Sequence, residues 1–223
     1  MTARPPDDLH DDSGHGEEGS VGLQEARLRA VEQALLASGA ETVLDLGCGP
    51  GPLLERLARS PRFRHIVGVD LSLDALAAVE RRLARHGIFP GSRIRLLHGS
   101  FADPSAGLEG FDAAVMVETI EHIDPERLSA VESAVFGRYR PGTVIVTTPN
   151  RDCNELLGVP HHRFRHPDHR FEWGRERFRS WCAGVAGRNG YDAAFEDVGW
   201  AHPHLGGPTQ MAVFVRADRA VGT

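Results

Sequence analysis

The segment 42–51, Thr-Val-Leu-Asp-Leu-Gly-Cys-Gly-Pro-Gly, constrains the fold more than any other. Its first five residues form a short apolar run of strand length, and the three glycines that stop it let backbone turn sharply and pass close to a ligand without a Cβ in the way. Residues 53–59 behind it read as a helix, so the turn joins a strand end to a helix N-terminus. The rhythm then repeats. Strands are expected at 65–69, ending on Asp70, and at 94–98, 111–117 and 142–147, with helices at 73–86 and 125–136. Strand and helix alternating in this way imply an α/β fold, a mostly parallel sheet with helices on both faces.

Ahead of the turn, Leu23, Ala26, Ala30, Val31, Ala34 and Leu35 recur at three- and four-residue spacing, which predicts a leading amphipathic helix. After Pro149 the alternation gives way to a stretch rich in His and Arg. A helix is then expected at 175–186, and strands at 191–198 and 210–216 as an antiparallel edge hairpin. Residues 1–20 hold six acids against Arg4 alone, with no periodic apolar positions, so they are expected to form a disordered acidic tail ahead of one domain at 21–217. The net charge of −6 argues against indiscriminate nucleic-acid binding. No apolar run is long enough to span a membrane and no signal-peptide pattern opens the chain, so a soluble, cytoplasmic protein is expected. Cys48, Cys153 and Cys182 lie far apart and are read as reduced, buried thiols. The chain has no lysine, which excludes Schiff-base and lysine general-base chemistry.

Gly47, Gly49 and Gly51 form G-x-G-x-G behind Asp45, whereas a dinucleotide fingerprint wants its third glycine three residues after the second. This run, with Val67-Gly68-Val69-Asp70, resembles the first two motifs of class I S-adenosylmethionine methyltransferases. The resemblance implies a seven-stranded Rossmann-like fold whose glycines receive the methionine moiety and whose Asp70 holds both ribose hydroxyls. A carboxylate suits that task because it accepts two hydrogen bonds from a vicinal diol. Ser100 and Phe101, just past the third strand, take the place where this family approaches adenine, and Asp45, Leu71 and Val117 are assigned to the same cofactor site.

Glu118, Glu121 and His122 stand at i, i+3 and i+4 after the strand at 111–117, so on a helical turn they would share one face. Histidines 161, 162, 166 and 169 follow the next strand, and loops at the carboxyl ends of parallel strands face one crevice. Two carboxylates and two imidazoles would suit Mn²⁺, Fe²⁺, Co²⁺ or Zn²⁺ and are nitrogen-rich for a dedicated Mg²⁺ cage. Three segments then resemble the HEN family of small-RNA 3′-terminal ribose 2′-O-methyltransferases: Val-Glu-Thr-Ile-Glu-His at 117–122, Thr-Pro-Asn at 148–150, and Phe-Arg-His-Pro-Asp-His-Arg-Phe-Glu-Trp at 164–173. The segment Gly207 to Phe214 is similar to the bacterial members. Two places depart from the family pattern: Gly174, where a threonine is usual, and the segment Leu156 to His162.

The resemblance implies metal ligands Glu118, Glu121, His122 and His169 and an Mn²⁺ ion, with Co²⁺, Fe²⁺ or Mg²⁺ as alternatives. It implies RNA 3′ ends as substrate and an RNA-repair kinase, phosphatase and ligase as partners. His166, beside the last ligand, is the candidate general base. Arginines 163, 165 and 170 are the candidate phosphate contacts, within a run where arginine exceeds acid. Two other readings stay open: methylation of a small diol-bearing molecule, and a catalytically silent subunit that binds RNA ends.

Overall fold

The computed structural model describes residues 15–103 and 108–217, with side chains from Gly22 onward. Helix α1, His15–Ala37, begins ahead of the Leu23 at which the apolar stripe starts and takes in residues 15–20 of the expected tail. Residues 1–14 of that tail lie outside the described residues. Leu28, Val31 and Leu35 are buried, as a 3.6-residue period against a sheet requires.

The alternation then runs β1 (Thr42–Leu46), α2 (Pro52–Arg59), β2 (His65–Asp70), α3 (Leu73–Ala84), β3 (Ile94–His98) and β4 (Ala113–Val117). It continues with α4 (Leu128–Glu132), β5 (Thr143–Pro149), α5 (Arg175–Asn189), β6 (Tyr191–Val198) and β7 (Thr209–Arg216). One seven-stranded sheet results, in the order β3-β2-β1-β4-β5-β7-β6. The first five strands in that order pair in parallel, β7 is antiparallel to β5, and β6 is antiparallel to β7. The expected C-terminal hairpin therefore forms with β7 inside and β6 at the edge. β6 is buried only at its ends, Tyr191 and Val198, and alternates half-buried and exposed residues between them, as suits an edge with one wet face, whereas β7 is buried along most of its length.

Successive residues of the central strands feed opposite faces. Val43, Val115 and Ile145 pack with Val31, Leu54 and Val79 on one side. Leu44, Met116 and Val146 pack with Phe136, Phe178 and Phe214 on the other. The three cysteines are free and buried, as expected. Among the described residues no helix is long and apolar enough to cross a membrane.

The helix expected at 125–136 is instead a 3₁₀ turn at Pro125–Arg127, then α4, then a π-helical stretch at Ser133–Tyr139 that ends on Arg140 in the left-handed region. The wider turn brings Val135, Phe136 and Tyr139 inward together. The Tyr139 hydroxyl lies 3.1 Å from the Phe101 carbonyl oxygen and 3.0 Å from that of Asp103. Core packing here overrides the local helical period and anchors the loop that follows β3.

Strand order reverses between β1 and β4, since β1 carries β2 on one side and β4 on the other. A crevice opens at such a point outside the carboxyl ends of the strands. The glycine turn leaves β1 there and Glu118 leaves β4 there.

Candidate active site

All three glycines of the turn have positive φ: 77° at Gly47, 52° at Gly49 and 78° at Gly51. Their roles differ from the simple expectation of a ligand cradle. A Cβ on Gly47 would stand 2.4 Å from Cγ2 of Thr119, and one on Gly51 would stand 2.7 Å from a methyl of Val79. Those two positions make room for protein. At Gly49 a Cβ would meet nothing within 4 Å, so this is the glycine that borders open space.

The Gly49 N–H donates to Oδ2 of Asp70 at 2.8 Å, and the Ser72 N–H donates to Oδ1 at 2.8 Å. Asp70 is thus pinned through both oxygens at the tip of β2, each with a lone pair to spare. Asp45 is 2% exposed and its Oδ2 has no hydrogen-bond partner. Burial, then the neighbouring Asp70 charge, pushes its carboxyl up to about 7. Contrary to its expected place in the cofactor site, Asp45 is buried near the end of β1 and does not line the crevice, because its side chain points into the protein beneath the turn.

A cavity of about 650 Å³ occupies the crevice, and Gly47, Gly49, Asp70, Leu71, Ser100, Phe101 and Val117 of the sequence-derived set line it. Ser100 also caps its turn, accepting the Ala102 N–H at 3.2 Å. The same cavity is lined by Glu118, His122 and Arg170, so the donor wall and two of the four metal-ligand candidates share one space, while Glu121 and His169 lie outside its lining.

The three residues after β4 do not share a helical face as expected. Glu118 has φ 50°, a left-handed conformation rare outside glycine, and precedes a 3₁₀ turn at Ile120–His122. Thr147 holds it there: its hydroxyl accepts the Glu118 N–H at 3.1 Å and donates to Glu118 Oε1 at 3.0 Å. The other carboxylate oxygen, Oε2, pairs with Arg27 at 3.0 Å. Glu121 is fully buried; Oε2 accepts from Thr148 at 3.0 Å, while Oε1 has no partner. Burial raises the Glu118 carboxyl against the opposing pull of Arg27 and Thr147. Burial and then the Glu118 charge raise Glu121 well above the usual range.

Three ring nitrogens, one each from His122, His166 and His169, lie within 4.8 Å of one another. Burial and the neighbouring His169 lower the His122 pKa, which favours the neutral imidazole that can donate a lone pair to a metal. His169 Nδ1 lies 2.6 Å from Oε1 of the buried Glu172, which fixes the ring and leaves Nε2 for another partner. His166 Nδ1 accepts the Asp168 N–H at 3.2 Å, so its Nε2 is the nitrogen left open.

The candidate phosphate contacts separate. Arg163 and Arg170 are exposed, and Arg170 sends its backbone N–H to the Glu121 carbonyl at 2.7 Å. Arg165 is committed inside the protein: its guanidinium donates to Oδ1 of Asn154, to the Pro208 carbonyl and to the Asn150 carbonyl. Its backbone N–H donates to Glu172 at 2.7 Å, and burial lowers its pKa. Arg165 therefore braces the loop that carries His169 instead of facing solvent phosphate.

Sequence reasoning overlooked Arg27, Gln24 and Leu28, which bring α1 to the cavity wall. A signal was present for the first: Arg27, Val31 and Leu35 fall at i, i+4 and i+8, which puts a cation on an otherwise apolar stripe. Glu172 and Asn154 were also overlooked as supports, because nothing local marks a buried carboxylate that serves a histidine three residues away.

Comparison with known proteins places this geometry. Residues 43–142 match the family described as "Methyltransferase domain". The methyltransferase domain of bacterial CtHen1 is 40% identical, with a TM-score of 0.78 over 87% of this chain and 98% of that one. The crystal structure of small RNA methyltransferase HEN1 is 30% identical at a TM-score of 0.78, covering 90% of this chain and 27% of that one. The small RNA 2′-O-methyltransferase of Mus musculus is 34% identical over 203 residues, which are 87% of this chain and 51% of that protein. The chain spans about half the length of the vertebrate relatives it matches. With the glycine turn, Asp70, Glu118 and His122 gathered around one crevice, the chain belongs to the HEN1 methyltransferase family, whose curated relatives are named small RNA 2′-O-methyltransferases.

Proposed function

We propose that this chain transfers the methyl group of S-adenosylmethionine to the 2′-hydroxyl of the 3′-terminal ribose of RNA, with a divalent metal held by Glu118, Glu121, His122 and His169. The observation that carries the reading is the shared cavity, in which the donor wall and two of the four ligand candidates line one space. The residues fit a cation. Glu121 Oε1 is buried without a partner, and both carboxyl groups sit where burial disfavours their ionised forms unless positive charge is near. His169, oriented by Glu172, offers a free nitrogen beside His122.

A divalent cation at these ligands would lower the pKa of a ribose hydroxyl and favour a terminus with both 2′- and 3′-hydroxyls free. Mn²⁺ is the ion the family resemblance suggests. The chain's own part is to orient and to take a proton. Asp70 fixes the donor ribose and Gly49 leaves room for it, while His166 Nε2 accepts the proton released as the 2′-oxygen attacks the methyl carbon. The carbon–sulfur bond breaks in that step and S-adenosylhomocysteine leaves. Arg163 and Arg170 stay as the exposed candidates for the RNA backbone. An RNA-repair kinase, phosphatase and ligase are the candidate partners, to be sought by co-purification.

Labelled methyl transfer to a short RNA tests the reading. Transfer is expected with free 2′- and 3′-hydroxyls, to fall at least tenfold with a chelator and to return with Mn²⁺. Transfer indifferent to chelator would overturn the metal assignment, and transfer to periodate-oxidised RNA would overturn selection by the terminal diol. RNA binding without turnover of the donor would identify a silent end-binding subunit.

A further inference from the structure

We propose that Arg27 on α1 receives the α-carboxylate of the methyl donor, so that one guanidinium is shared between that ligand and Glu118; the inference rests on the donor site described above. Strand order sets the direction in which the donor lies. Ser100 follows β3, Asp70 ends β2, the glycine turn follows β1 and Glu118 follows β4, and these strands are neighbours in that order. With adenine by Ser100 and Phe101 and ribose at Asp70, the amino-acid end lies past the glycine turn, over the ends of β1 and β4.

That end of the cavity is acidic. Asp45 and Asp70 stand beneath and beside the turn, and Glu118 stands opposite. A further carboxylate among them is favoured beside a cation. Arg27 lines the cavity and is already ordered, its Nη2 held at 3.0 Å by Glu118 and at 3.1 Å by the Thr209 hydroxyl. Its side chain is 15% exposed, and among the described residues its Nε has no hydrogen-bond partner. A fixed, largely desolvated guanidinium with donors unspent is suited to a carboxylate. The other cations on the cavity wall are less prepared. Arg127 is exposed, and Arg170 is 60% exposed with Asp124 at 3.6 Å.

Calorimetric titration of the full chain with S-adenosylhomocysteine and with 5′-methylthioadenosine tests this. The second ligand keeps adenine, ribose and sulfur and lacks the amino-acid end. Arg27→Ala is expected to weaken S-adenosylhomocysteine roughly tenfold or more, the loss of a charge-assisted contact, and to leave methylthioadenosine within about twofold. Arg27→Lys is expected to recover part of the loss, and retained methylthioadenosine binding shows in each variant that the cleft is folded. Equal weakening of both ligands would make Arg27 a structural brace only and overturn the proposal, as would unchanged affinity for S-adenosylhomocysteine. Failure of the unaltered chain to bind either ligand would overturn the donor site and this inference with it, whereas absence of methyl transfer to RNA would leave the ligand comparison intact.

Discussion

Glu121 is a single side chain that is costly to the fold, its Oε1 buried without a partner. A buried carboxylate oxygen with no partner forfeits its hydration without compensation, a penalty of about 1–3 kcal/mol. Evolution of a merely stable protein would remove it, and a cation would satisfy it. Glu121→Gln keeps the shape and removes the charge. In metal-free buffer this variant is expected to melt at the same temperature or about 2–4 °C higher, because about 1 kcal/mol shifts the midpoint by that much at this size. If Mn²⁺ binds as proposed, the unaltered chain is expected to gain in midpoint with Mn²⁺ and this variant to lose that gain. Calorimetric melts with and without the metal decide both points. A variant that is destabilised in metal-free buffer and still gains from Mn²⁺ would show that Glu121 is structural. Glu118 is held differently. Thr147 clamps it through backbone and side chain, which lets the chain carry a left-handed, non-glycine residue at the point where β4 ends.

Among the elements, the turn between β1 and α2 is shaped as much by its neighbours as by a ligand. Gly47 is closed against Thr119, which itself donates to the Leu46 carbonyl at 3.3 Å, so the turns after β1 and β4 are packed as one unit. Gly47→Ala combines a positive φ with a steric conflict and is expected to cost roughly 2–3 kcal/mol. Adding Thr119→Ser removes the clashing methyl and is expected to restore a part of that loss in urea unfolding, though none of the φ cost. A double variant no more stable than the single one would show that the conflict with Thr119 is not what excludes a side chain. The loop from β5 to α5 follows the same logic. Glu172 gathers Asn154, the Arg165 backbone and His169, and the hydrogen bonds lower its pKa although burial alone would raise it. The His and Arg of this stretch therefore divide between a braced interior and an open rim.

For the whole molecule, the buried Asp45 is expected to make stability depend on pH. Asp45 is pushed up to about 7 in the folded chain, while an unfolded aspartate titrates near 3.8. The folded state then binds a proton that the unfolded state has lost, so this residue's contribution is fully present below about pH 4 and is lost as pH rises towards 7. Asp45→Asn is expected to flatten that window in a plot of unfolding free energy against pH and to raise stability at pH 8 by on the order of 2–4 kcal/mol. An unchanged slope would show that Asp45 is ionised in the folded chain throughout. The sequence alone determined the layer architecture, because hydrophobic period, glycine placement and strand-then-helix order are local properties, readable from Thr42 to Gly51 and in each later repeat. It also drew attention to Glu118, Glu121 and His122 by their spacing, while the choice of His169 among four nearby histidines came from family resemblance. Tertiary structure decided what no local pattern contains. It showed that Glu118 is off the helical face, that the segment 125–139 widens into a π-helix under core packing, and that Arg165 is an internal brace. It also brought Arg27, far away in sequence, to 3.0 Å from Glu118. Each depends on which strands are neighbours in the sheet, and contacts between distant segments are set by packing and burial, which no local pattern encodes.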